Sequence, residues 1–338
     1  MLKCRSLLLL CFAGLAVRLF AAEPPGAGLY QRSQALLANQ PAVVSEYYQQ
    51  LMAQLGQTPA WYQRDWHLLA ARAFAAQQQW PAAWHSLALA DQLVPQGIVA
   101  ADIAMTAGYV AYQQQYRTAA RHWFLCADKF ANPPLTRAKL LLNLGAVESF
   151  RGDYAAAMVF YQQGLALAEQ HEFVTLLPMF NNNMGAMHWR LGQYEPAIAA
   201  LRQATFRYAR LQQSYSQSRA AINLLNVLVT IEDWGRYQRF YPSIAQQVQK
   251  AGASEYGLFL QILEVIRQRL TGQGSSMTDA QLEALLAQLT GLNVQQMAQQ
   301  QVHKIGLNWQ APPPAPAAEQ FSSQLPHTER LCPAPIPQ

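Results

Sequence analysis

The sequence predicts an all-α protein built as a solenoid of antiparallel helix pairs. Three observations carry this. A block of residues recurs at an interval of 40. Ala, Leu and Gln, all favourable inside helices, are abundant, with Gln at roughly one residue in eight. No run of alternating β-branched and aromatic residues marks a strand. A length of 338 residues suits an array in which each unit touches only its neighbours.

The elements follow in order. Residues 1–22 predict a signal peptide. Lys3 and Arg5 supply a positive start, Leu7 to Val17 an apolar run, and Ala21 and Ala22 small residues for cleavage. An uncleaved N-terminal anchor is the alternative, because Arg18 interrupts the apolar stretch. The run is shorter than the ~20 residues that span a bilayer. Leu10 ahead of Cys11 excludes a lipoprotein. The expected location is therefore periplasmic or secreted.

The solenoid is expected over residues 27–306. Tyr30 to Ala38 and Ala42 to Leu55 read as a helix pair, with Pro41 at a helix start where its missing N–H is harmless. Trp80, Ala83, Leu87 and Ala90 form one second-helix pattern, and Tyr116, Ala119, Trp123 and Cys126 another.

The clearest repeat runs from Asn143 through Gly145, Gly152, Tyr154 and Ala157. Its copy runs from Asn183 through Gly185, Gly192, Tyr194 and Ala197, each residue 40 further on. A degenerate third copy holds Asn223, Leu225, Trp234, Tyr237, Tyr241 and Ile244. Gly152 and Gly192 sit where a first helix must stop and a left-handed residue is wanted. Gly145 and Gly185 lie inside that helix at a cost of about 1 kcal/mol relative to Ala, which points to close helix approach.

Tyr256 to Leu270 reads as an apolar helix. Thr278 with Gln281 predicts a capping box opening a helix to about Thr290, with Gly291 ending it. Asn293 to Lys304 reads as a closing cap. Residues 307–338 are Pro-rich and predict a disordered tail. Cys126 and Cys332 permit one disulfide. The favoured expectation is instead a packing role for Cys126 and a Cys332 that dangles.

These residues resemble the tetratricopeptide repeat family. The spacing resembles the 40-residue variant of kinesin light chains, spindle-orientation adaptors and bacterial peptide-sensing regulators. The resemblance implies a right-handed superhelix with a concave groove, and groove asparagines that hold a peptide backbone. Asn143, Asn183 and Asn223 are the corresponding positions, with Asn182 and Asn226 near the same face. Lys139, Arg190 and Arg219 are the candidate cations for a carboxylate. The alternative is that each Asn bonds a neighbouring helix.

The chemistry search is negative. No two of the seven histidines stand three or four apart, so no helical metal pair exists. No phosphate loop, H-E-x-x-H or nucleophile elbow is present. Charged residues make up only 13%, against about 25% in typical domains. Without Lys3, Arg5 and Arg18 the chain holds 21 basic and 19 acidic side chains, too balanced for a nucleic-acid footprint. The expectation is no cofactor, no metal, no catalysis, and a protein or extended-peptide partner. A sensor module for a small peptide or glycan is the alternative.

Overall fold

The computed structural model describes residues 27–94, 101–131, 133–312 and 325–332. The leader and much of the tail lie outside the described residues. Among those described, no strand occurs and no helix is long and apolar enough to cross a membrane.

The helices are α1 (Ala27–Leu36), α2 (Pro41–Leu55), α3 (Ala60–Ala76), α4 (Trp80–Gln92), α5 (Ala101–Gln113), α6 (Arg117–Asp128), α7 (Pro134–Arg151), α8 (Tyr154–Gln170), α9 (Leu177–Arg190), α10 (Tyr194–Arg210), α11 (Ser214–Thr230), α12 (Trp234–Lys250), α13 (Ser254–Leu270), α14 (Asp279–Leu286), α15 (Leu292–Val302) and α16 (Pro326–Glu329). Hairpins α3/α4, α5/α6, α7/α8, α9/α10 and α11/α12 stack in sequence. The first helices α3, α5, α7, α9, α11 and α13 pack on one another in turn, whereas no two second helices pack closely. The first helices therefore form the inner, tighter layer. The Arg219 charge on α11 reaches Tyr112 on α5.

One packing rule recurs. A Cβ on Gly108 would lie 2.6 Å from Phe124, and one on Gly185 would lie 2.6 Å from Leu201. Gly145 meets Tyr161 in the same way. Each missing side chain lets two helices of a hairpin close on a large buried group. In α11 the equivalent residue is Leu225, and Tyr241 opposite is left half-buried.

The turns carry a second rule. Gly152, Gly192 and Gly272 have positive φ, and so do Gln78, Gln115 and Glu232. Gln78, Gln115 and Gly152 are 37 apart, while Gly152, Gly192, Glu232 and Gly272 are 40 apart. The shorter period matches shorter second helices: α4 and α6 have 13 and 12 residues, against 17 in α8, α10 and α12.

The C-terminal part departs from the sequence reading at three points. The Thr278–Gln281 capping box forms, but α14 ends at Leu286 rather than near Thr290. Gly291 begins α15 instead of ending α14. The Glu255 carboxylate fixes that corner by accepting from the N–H groups of Thr290 at 2.8 Å and Gly291 at 2.5 Å. The third correction concerns the tail. Cys332 does not dangle: it is 2% exposed and disulfide-bonded to Cys126, with a Cα–Cα distance of 5.8 Å. Leu325 to Cys332 dock on α4 and α6 rather than extending freely. The buried Asp91 carboxylate accepts from the N–H groups of His327 and Thr328, at 2.9 and 3.0 Å, and from the Thr328 hydroxyl.

Candidate functional site

The inner layer offers the site, and the turns give it a common register. The same step back from each turn reaches Asp65, Asp102, Lys139, Met179 and Arg219 on successive first helices. This stripe is acidic on α3 and α5 and basic on α7 and α11. Asp65 pairs with Arg64 at 3.4 Å. Burial raises the Asp65 pKa, with Arg64 opposing. Lys139 is exposed. Desolvation, then the Arg72 charge, lower its pKa, with Asp102 opposing.

Arg219 is the unusual member. Its Nη2 donates to the Tyr208 hydroxyl at the long distance of 3.5 Å, and its buried Nε has no partner. Desolvation would lower its pKa, but the hydroxyls of Tyr208, Tyr256 and Tyr215 hold it above the usual arginine value. Neither Lys139 nor Arg219 pairs with a carboxylate among the described residues. A desolvated cation without an anion is costly.

The asparagines divide. Asn223 donates to Asn182 Oδ1 at 3.0 Å, and Asn182 donates to Asn183 Oδ1 at 3.2 Å. That rung between α9 and α11 satisfies itself. One unit earlier Leu142 stands where Asn182 would, so the rung cannot form between α7 and α9. Asn143 is half-buried and makes no side-chain hydrogen bond among the described residues. It stands one turn beyond Lys139 on α7.

Two of the expected residues lie elsewhere. Asn226 is 1% exposed, and its Oδ1 accepts from Gln301 of α15 at 3.0 Å. It is closed to a ligand because α15 crosses the end of α11. Arg190 is the last residue of α9, at the rim. It stacks over Tyr154 and Trp189 and donates to Gln296 of α15 at 3.1 Å. Arg72 on α3, whose charge reaches Lys139, and the tyrosines around Arg219, Tyr208 on α10, Tyr215 on α11 and Tyr256 on α13, are residues the sequence reading missed. Arg72 lies ahead of Gly152, where the step is 37 rather than 40, whereas the three tyrosines lie beyond it. No group of three or more His, Cys, Asp or Glu among the described residues is placed to hold a metal.

Comparison with known proteins agrees with this architecture. The tetratricopeptide repeat family model matches residues 180–205. Tonsoku-like protein of Bos taurus is 30% identical over 98 residues, which is 29% of this chain and 7% of that protein. This chain therefore matches only a small part of that relative. Among solved structures, the apo form of RapI superposes with a TM-score of 0.58 at 14% identity, covering 79% of this chain and 94% of the other. A Rap protein complexed with competence and sporulation factor gives 0.59 at 13% identity, covering 75% and 72%. Aspartyl phosphate phosphatase F from Bacillus subtilis gives 0.55 at 13%, covering 75% and 73%. At such identities these likenesses speak for the fold. With the repeated helix pairs, their glycine contacts and their shared turns, they show a solenoid of tetratricopeptide-like helix pairs, with the family's own repeat matched over residues 180–205.

Proposed function

We propose that this chain is a non-enzymatic adaptor of the bacterial cell envelope that holds a protein or extended peptide along its concave face. Arg219 carries the reading. A desolvated guanidinium ringed by tyrosines, with a buried unbonded Nε, is what a site for a carboxylate requires before its ligand arrives. Lys139 repeats the charge two first helices earlier, on α7, and the amide of Asn143 lies one turn beyond it. Together they suit an acidic side chain or C-terminal carboxylate continued by peptide backbone.

Two features support an exported location. Lys3, Arg5 and the Leu7–Val17 run have the form of a signal peptide. The Cys126–Cys332 bond belongs to an oxidising compartment. A second reading, a sensor whose groove takes a small peptide or glycan, is favoured by the likeness to the Rap protein complexed with competence and sporulation factor.

The test is affinity capture from envelope extracts, comparing the native chain with a Lys139→Ala/Asn143→Ala/Arg219→Ala variant of equal helicity. Loss of a discrete partner by the variant supports the groove. Equal recovery by both removes it.

A further inference from the structure

A separate cleft lies at the rim, between the ends of α5, α7 and α9 and the helix α15 that crosses them. It encloses about 520 Å³, within the range of about 300–1,000 Å³ usual for small-molecule sites. Arg117, Arg151, Arg190 and His303 line it, and no carboxylate does. Arg151 shares its charge with the buried Glu148 at 2.6 Å. Arg117 and Arg190 pair with no carboxylate among the described residues.

Helix dipoles account for part of this. Arg151 and Arg190 end α7 and α9, where a cation is favoured. Arg117 does the reverse. It is the first residue of α6, the positive end, where a cation is disfavoured. It is nonetheless turned over the Phe150 ring, 4.2 Å from its centre, at the cleft wall. The opposite wall is the polar face of α15: Asn293, Gln296, Gln299 and Gln300. Primary amides both donate and accept, which matches hydroxyl groups. Tyr112, Phe150 and Tyr154 add aromatic surface for C–H faces.

We infer that this cleft binds a hydroxylated small anion, a sugar acid or sugar phosphate. The guanidinium of Arg117 meets the oxyanion, with Arg190, held by Gln296, beside it, and the amides of Asn293 and Gln300 take the hydroxyls. The site is distinct from the inner-layer stripe and does not depend on the groove reading.

Calorimetric titration of the full chain with glucuronate, galacturonate and glucose 6-phosphate tests it, with glucose and inorganic phosphate as controls. Saturable binding of at least one anionic sugar is expected, tighter than either control. Uronates alone identify a carboxylate ligand, and glucose 6-phosphate alone a phosphate ester. Arg117→Ala should weaken binding by about tenfold or more, as loss of one charge-assisted contact does. Gln300→Ala should weaken the sugar but not inorganic phosphate. Both residues are exposed, so the variants keep the native melting temperature. No saturable heat from any anionic sugar, or inorganic phosphate binding as tightly as the sugar phosphate, overturns the proposal.

Discussion

Gly145 lies so close to the ring of Tyr161 that a methyl group cannot fit between them, and Gly185 stands in the same relation to Leu201 one unit later. The second hairpin repeats the contact of the first with a different large residue. Gly145→Ala is therefore expected to cost about 1–3 kcal/mol, the range for overpacking a filled core. Gly257 gives the control. It is in α13 with open space where a Cβ would be, so Gly257→Ala should stabilise by about 0.5–1 kcal/mol. Urea unfolding of both variants checks this. Similar changes of either sign would contradict the packing account.

The tail is fastened at two points, the Cys126–Cys332 bond and the Asp91 carboxylate. The bond spans 206 residues, and in the chain-entropy model such a loop is worth about 5 kcal/mol. Cys332→Ser should lower stability by about 2–5 kcal/mol, and Asp91→Ala should lower it further by freeing Leu325 and Thr328. Non-reducing peptide mapping should recover residues 126 and 332 in one linked fragment. A chain isolated with two free thiols at these positions would refute the fastening.

His67 is buried between α2 and α3 and shares a 2.7 Å hydrogen bond with the Tyr48 hydroxyl. Burial, then the nearby His85, lower its pKa from 6.5 to about 4. The folded state thus resists protonation that the unfolded chain accepts. The associated stability is complete above pH 6.5 and is lost as pH falls toward 4. The loss is at most roughly 3 kcal/mol. Unfolding free energy measured from pH 7.5 to 4.5 should fall in the native chain and fall less in His67→Gln. Equal slopes would count against a neutral buried imidazole.

How far the sequence revealed this molecule depends on the distance over which each feature acts. The repeat, the left-handed turns at Gly152 and Gly192 and the Thr278–Gln281 box are local, and their residues say so directly. The drift ahead of Gly145 was visible but unexplained until α4 and α6 were seen to be shorter. The docking of Thr328 on Asp91 joins residues 237 positions apart, and no local pattern announces it. Asn226 shows the same limit within the site. Its place near the ladder suggested a ligand, but α15, arriving from far along the chain, claims its amide.

Arg219 separates function from stability. If its unbonded guanidinium awaits an anion, Arg219→Met should raise the stability of the unliganded chain by about 1 kcal/mol while weakening partner capture. Thermal unfolding and capture on the same preparation give both readings. A loss of more than about 2 kcal/mol on substitution would make the arginine a structural element instead.

The inner face is the proposed point of contact, and crosslinking by position tests it most directly. A photoreactive residue is placed at Asn143 in the groove, and in a second chain at Phe206, which is 62% exposed on the second-helix layer. Both chains are irradiated in envelope extracts. The account predicts a discrete crosslinked partner from position 143, abolished by Arg219→Ala, and none from position 206. Crosslinking from position 206 with none from position 143 would contradict it.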